Sequence, residues 1–256
     1  MKKILIPISF NEESVNSIIK ASALFEQVEL TLLHCYPVRG YNREYDFGDQ
    51  DYEEGLRNML REFYLKHRVD SKLKIKLILR PGNVSEIISS ISQLFDLIVI
   101  SRKELKVKDG LWYSDKVFYI ASMAKCPVLL LPSRSDKFSF KNCNVIWHIK
   151  RKEIESDVLN NDLPKININP SSVIVKSLEQ SRFKSSFWKA IISYSKNHDE
   201  RLLRIIKESQ ISEKIDLILL ISHSKGAFQE FMKSEIIQLI NQVNIPLLIF
   251  QAGSKK

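Results

Sequence analysis

Two stretches of this chain occur twice. DLIVIS at 96–101 returns as DLILLIS at 216–222, an offset of 120, and CPVLLLP at 126–132 returns as IPLLIFQ at 245–251, an offset of 119. Each pair encloses apolar residues at helical spacing: Val117, Ile120, Ala121 and Ala124 in the first copy, and Ile236, Ile237, Ile240 and Val243 in the second. The repeated unit is therefore strand, helix, strand. Its period is too long for a solenoid and suits a small α/β domain, so the pattern indicates a tandem duplication. The polar, proline-initiated stretch PSRSDKFSFKN at 132–142 reads as the linker, dividing the chain into domains at 1–134 and 140–254.

The first half alternates regularly. KILIPI (3–8) reads as a strand, 10–26 as a helix with Val15, Ile18, Ile19 and Ser22 on one face, and VELTLLHCY (28–36) as a second strand. An acidic loop, EYDFGDQDYEEG, leads to a helix near 52–67, the strand LKIKLILR (73–80), a helix at 84–94 and then the repeated unit. Strands separated by helices imply parallel βαβ units, five strands in all. The second half is less regular. NVIWHIK (144–150) and SSVIVKSL (171–178) read as strands, helical spacing recurs near 183–195 and 199–210, and 151–170 resists assignment. If Val145–Lys150 corresponds to Ile4–Ser9, the offset there is 141, so about 21 residues are missing before the unit with offset 120. The fold class expected is α/β: two tandem domains, each an open parallel sheet of five strands or fewer, flanked by helices.

Composition narrows the chemistry. The seven glycines stand at 40, 48, 55, 82, 110, 226 and 253, too far apart for GxGxxG or a Walker-type loop. Cys35, Cys126 and Cys143 show neither CxxC spacing nor a histidine cluster, which argues against zinc and against a disulfide framework and suggests a reducing, cytoplasmic compartment. MKKILIPISFNEES lacks a signal-peptide apolar core, and no run approaches the roughly 18 apolar residues of a membrane span. Net charge is +9, with residues 137–256 holding 19 bases against 12 acids.

The residues KILIPISFNEES, VELTLLHCYPV, RPGNVSEII, DLIVIS and CPVLLLP resemble the universal stress protein family in its tandem form, whose fold is adenine nucleotide α-hydrolase-like. The resemblance implies that the last strands, CPVLLLP and IPLLIFQ, pair edge to edge within one chain, covering two otherwise exposed sheet edges. It also implies where ATP binds: an acid after the first strand, and Gly-x2-Gly-x9-Gly followed by Ser or Thr after the fourth, because backbone amides must close on phosphate oxygens. Carried onto the first half, the acid falls at Ser9, the glycines at Ser101, Glu104 and Ser114, and the hydroxyl at Asp115. Two carboxylates then oppose phosphate, each by about 1 to 4 kcal/mol at some 4 Å. The first site reads as lost.

In the second half the acid falls at Lys150 and the glycines near Ile221, Ser224 and Lys233, within ISHSKGAFQEFMKSEII. Ser234 fills the hydroxyl position if one residue is deleted from the spacer. His223, Ser224, Lys225, Gly226, Lys233 and Ser234 are thus the candidate nucleotide-binding residues, degraded but not hostile to anions.

Other signals have structural readings. Ser9 with Glu12 has capping-box spacing at a helix start, and Asn83 with Glu86 repeats it. His34 and Cys35 are strand neighbours, so their side chains point to opposite faces and cannot form a Cys/His pair. SRFKSSFWKAIISYSK (181–196) fits an amphipathic helix better than a nucleic-acid platform, and the acidic stretch 44–54, with Asp46, Asp49, Asp51, Glu53 and Glu54, reads as a solvated loop without EF-hand order.

The functional expectation is a regulatory or scaffold protein that is not an enzyme and carries no metal and no cofactor. It would act through protein partners, with a homodimer of the whole chain as one option. The alternative is a nucleotide binder or weak ATPase using ATP in the second domain alone; association with nucleic acid through the basic second half is the weakest reading.

Overall fold

The computed structural model describes residues 1–25, 27–36, 49–66, 73–101, 113–132, 144–148, 163–166, 172–174, 217–223 and 245–252. In the first half these form β1 (Lys2–Pro7), α1 (Glu12–Ala23), β2 (Val28–Tyr36), α2 (Asp49–Lys66), β3 (Lys74–Pro81), α3 (Val84–Ile91), β4 (Leu97–Ser101), α4 (Tyr113–Met123) and β5 (Val128–Leu131). The second half contributes β6 (Asn144–His148), one helical turn at Leu163–Lys165, β7 (Ser172–Ile174), β8 (Leu217–His223) and β9 (Leu247–Ala252). The helices expected near 183–195 and 199–210, and the one carrying Ile236 to Val243, lie outside the described residues.

All nine strands join one sheet in the order β3-β2-β1-β4-β5-β9-β8-β6-β7. Every neighbouring pair is parallel except β5 with β9, which is antiparallel. Two parallel half-sheets therefore meet at one antiparallel seam. The register repeats the offsets read in the sequence. Ile4 lies against Leu97 and Val145 against Leu217; Ile98 lies against Val128 and Ile218 against Leu247. Across the seam Val128 faces Ile249, Leu129 faces Leu248 and Leu130 faces Leu247. With an offset of 119 Leu129 and Leu248 are equivalent residues, so a local two-fold passes between them.

Alternation along the strands fills two cores. Ile4, Ile6, Leu30, Leu32, Leu97, Val99, Leu129, Leu217, Leu219 and Leu248 point to one face, covered by Ile18 and Ala21 of α1 and by Leu60 and Phe63 of α2. Leu5, Leu33, Ile98, Ile100, Val128, Leu130, Ile218, Leu247 and Ile249 point to the other, under Ile88 of α3 and Val117, Ile120 and Ala121 of α4. The split follows from the strand order. Crossovers of one hand going from β1 to β3 and then back from β3 to β5 must place their helices on opposite faces. Both cores continue through the seam, and Leu163 and Ile166, from the segment that resisted assignment, are buried in the first of them. Val128–Leu131 is apolar throughout because β9 makes β5 an interior strand, whereas the edge strand β3 alternates Lys74, Lys76 and Arg80 with aliphatic residues.

Several local expectations shift. The cap of α1 is Asn11, whose Oδ1 accepts from the Ser14 amide at 2.9 Å, and not Ser9, whose own amide donates to Ser14 Oγ at 3.1 Å. The chain first turns through Phe10 at φ 59, which moves the helix start two residues on. The buried face of α1 is Ser14, Ser17, Ile18 and Ala21, and Ile19 is exposed. Asn83 does cap α3, accepting from the Ser85 amide at 2.9 Å, after a turn at Gly82 with φ 118. The acidic stretch is not loop throughout: from Asp49 onward it is the start of α2, where acids favour the helix N-terminus, and Glu53 pairs with Arg57 one turn on.

At the amino end of β2, Glu29 is 4% exposed at its side chain and is clamped by Lys76 Nζ at 2.7 Å and Lys74 Nζ at 3.0 Å. Bonding to Lys76 and then Lys74 holds its pKa near 2, below the usual 4.5, and outweighs the opposing effect of burial. A carboxylate whose folded pKa is lowered stabilises the fold above its unfolded pKa and loses that contribution as pH falls. Stability measured by urea denaturation should therefore decline from about pH 4.5 toward pH 2, and Glu29→Gln should flatten that part of the profile. An unchanged profile in the variant would show that the clamp contributes nothing.

Candidate functional site

Within β3-β2-β1-β4-β5 the chain order reverses between β1 and β4, and ligands of open α/β sheets bind outside the carboxyl ends of strands at such a point. Three segments meet there: Ile8 to Asn11 leaving β1, the first turn of α1, and the end of β4. The last residue of β4, Ser101, is 2% exposed, and its hydroxyl donates to Glu13 Oε2 at 2.8 Å. Glu13 reaches it because α1 starts directly above β4 and packs on that strand. The helix N-terminus, where a phosphate would gain from converging amides, thus already faces a carboxylate from its own first turn.

Beside β1 the space over β2 is filled by rings. Phe10 lies 4.3 Å from the His34 ring, tilted by 40°, and meets Phe63 of α2 edge-on at 5.7 Å. His34 Nδ1 donates to the Ile8 carbonyl at 2.9 Å, and burial holds its pKa below the usual histidine value despite that bond. A neutral ring that spans two strand ends is a tie, not an acid or base in contact with a substrate. Cys35 packs toward the opposite core, so His34 and Cys35 do diverge. Burial pushes the Cys35 thiol up to about 12, and burial with the nearby Asp96 charge pushes Cys126 equally far. Neither thiol supplies a nucleophilic thiolate.

Of the former nucleotide positions, Ser9 follows β1 and Ser101 ends β4, about the reversal point. Ser114 and Asp115 stand in the first turn of α4, and Glu104 lies outside the described residues. The carboxylate found at the reversal point is one the motif comparison passed over, Glu13. Its signal was present in the sequence as an acid in the first turn of the helix that follows the first strand.

In the second half β8 runs two residues beyond the equivalent of Ser101, pairing Ser222 with Gln251 and His223 with Ala252. His223 is consequently a strand residue and not part of the following loop. Ile221, the equivalent of the first glycine, sits in the ladder against Phe250. Ser224, Lys225, Gly226, Lys233 and Ser234 lie outside the described residues, as does Lys150. Among the described residues no group of three or more His, Cys, Asp or Glu is placed to hold a metal ion, and no helix is long and apolar enough to cross a membrane.

No family model matches the sequence, and no curated protein matches it. Solved structures do match. A universal stress protein from Archaeoglobus fulgidus DSM 4304 superposes with a TM-score of 0.65 at 15% identity, over 98% of this chain and 97% of that one. A protein of Pseudomonas aeruginosa UCBPP-PA14 assigned to the same family gives 0.56 at 10% identity, over 98% and 93%. A functionally unknown protein of Pseudomonas aeruginosa PAO1 gives 0.52 at 12%, over 98% and 92%. At such identities the likeness concerns the backbone. Together with the two half-sheets of matching register, it establishes that this chain has a universal-stress-protein-like α/β fold built on one sheet.

Proposed function

We propose that this is a non-enzymatic regulatory or scaffold protein of the stress-response type, cytoplasmic, whose first domain has given up nucleotide binding and which works through protein partners. The observation that carries this reading is the bond from Ser101 to Glu13 at the strand-order reversal. A phosphate placed over β4 would meet the Glu13 carboxylate at close range, in a crevice where water screens poorly, and would have to break a buried hydroxyl's bond to enter. His34 is neutral and tied to the Ile8 carbonyl, and the Cys35 thiol stays protonated, so neither of these groups offers an acid, base or nucleophile there.

A second reading places a nucleotide, or a weak ATPase, in the second domain. It is favoured by the position of β8, whose carboxyl end adjoins β6 at the equivalent reversal and leads into SKGAF, with Lys225 and Gly226. Calorimetric titration of the full chain with ATP separates the two. The first reading expects no binding heat; one site per chain that vanishes in Lys225→Ala, Lys233→Ala would install the second. Two tight sites per chain would overturn the loss of the first domain's site.

A further inference from the structure

The outer edge of the first half-sheet combines three features that no nucleotide function uses. β3 is eight residues long and pairs with β2 alone among the described strands, so among the described residues its other side is left with main-chain donors and acceptors. Its odd-numbered residues face α2, and between the two elements lies a groove of about 520 Å³ lined by Leu60, Leu77 and Leu79, with Arg57 and Arg61 balanced by Glu53 and Glu54, so the selecting charge is that of β3 itself. That volume falls within the roughly 300 to 1,000 Å³ of ordinary ligand sites. Leu77 is 38% exposed there, on a strand whose aliphatic neighbours are otherwise half covered. The even-numbered face carries Lys74, Lys76 and Arg80; Glu29 neutralises one of these three charges, so the edge keeps a positive excess.

Charge selects the occupant. A second copy of β3 laid along the first would set lysine and arginine against lysine and arginine, which destabilises cross-strand pairs. A strand with acids at alternate positions does the reverse: its carboxylates stand beside Lys74, Lys76 and Arg80, while its intervening aliphatic side chains fall toward Leu77 and Leu79. We propose that the β3 edge and the α2 groove bind an extended segment of a partner protein, alternating acidic and aliphatic residues, as an added strand. This rests on the reading above that the protein works through partners, and it names the surface and the chemistry of the partner.

The test uses the full chain and a fluorescein-labelled peptide of alternating glutamate and valine, as long as β3, with a lysine-for-glutamate peptide as control. Fluorescence anisotropy should show saturable binding of the acidic peptide and little of the control. Arg80→Glu and, separately, Leu77→Asp should each weaken binding by about tenfold or more. Bound peptide should slow amide exchange within Lys74–Arg80 by about tenfold or more, a change that charge attraction elsewhere on the surface would not produce. Should either variant fold poorly by circular dichroism, a salt titration of the unmodified chain replaces it, with affinity expected to fall as salt rises. Equal binding of both peptides, unaltered exchange in β3, or no binding at all would overturn the proposal and leave the charged edge as a guard against self-pairing. A flat ATP titration beside such a failure would leave the non-enzymatic reading intact.

Discussion

Leu129→Ala and Leu248→Ala are each expected to cost about 2 to 5 kcal/mol, as for other leucines truncated in a packed core. Both are fully buried, they face one another at the centre of the antiparallel seam, and each belongs to a core that holds residues of both halves. A loss of this size is a large share of the roughly 5 to 15 kcal/mol by which domains are stable. Because the core is shared, the halves should unfold together: urea denaturation followed by far-ultraviolet circular dichroism and by tryptophan fluorescence should give coincident transitions, displaced to lower urea in either variant. The double variant should be less destabilised than the sum of the singles, since both remove the same contact region. Two separate transitions, with only one displaced, would show that the seam is a loose contact between independent domains.

Cutting the chain after residue 134 is expected to give a fragment that does not persist as a monomer. It would leave β5 as an edge whose four residues, Val128–Leu131, are all aliphatic and all buried in the whole chain. Such an edge invites pairing. It is also self-complementary: Leu129 pairs with its own equivalent, Leu248, so a second β5 can take the place of β9. Sedimentation velocity should report dimers or larger species. A stable monodisperse monomer would mean that β5 needs no cover.

Where the sequence could be read, the reason was periodicity. The repeats at offsets 120 and 119 reappear in the sheet, where Ile98 with Val128 and Ile218 with Leu247 are equivalent pairs. Buried parallel strands announce themselves as aliphatic runs, and the match of DLIVIS to DLILLIS survives because every β4 residue is enclosed. Helix starts were less legible. Ser9 and Glu12 had the right spacing for a cap, but the left-handed turn at Phe10 delays the helix and gives the role to Asn11. Ile19 looked like a core residue by type, yet the small Ser14 and Ser17 take that face, which lets α1 lie close to β4.

The candidate site was legible only in part, for a different reason. The positions of the lost glycines lead to Ser101 but not to Glu13, the residue that bonds to it. Glu13 enters from another element, through a fold-level contact between residues 88 apart. In the second half, the extension of β8 past the repeated DLILLIS to His223 is likewise a pairing property, set by Ala252 of β9.

Native mass spectrometry of the full chain, recorded as purified and again with excess ATP, counts the nucleotides that each chain holds. The first spectrum should show the mass of the bare chain, and the second no more than one nucleotide, held by the domain that contains SKGAF. A chain carrying two nucleotides would place one of them over Ser101 and Glu13, and the first domain could then no longer be regarded as a scaffold.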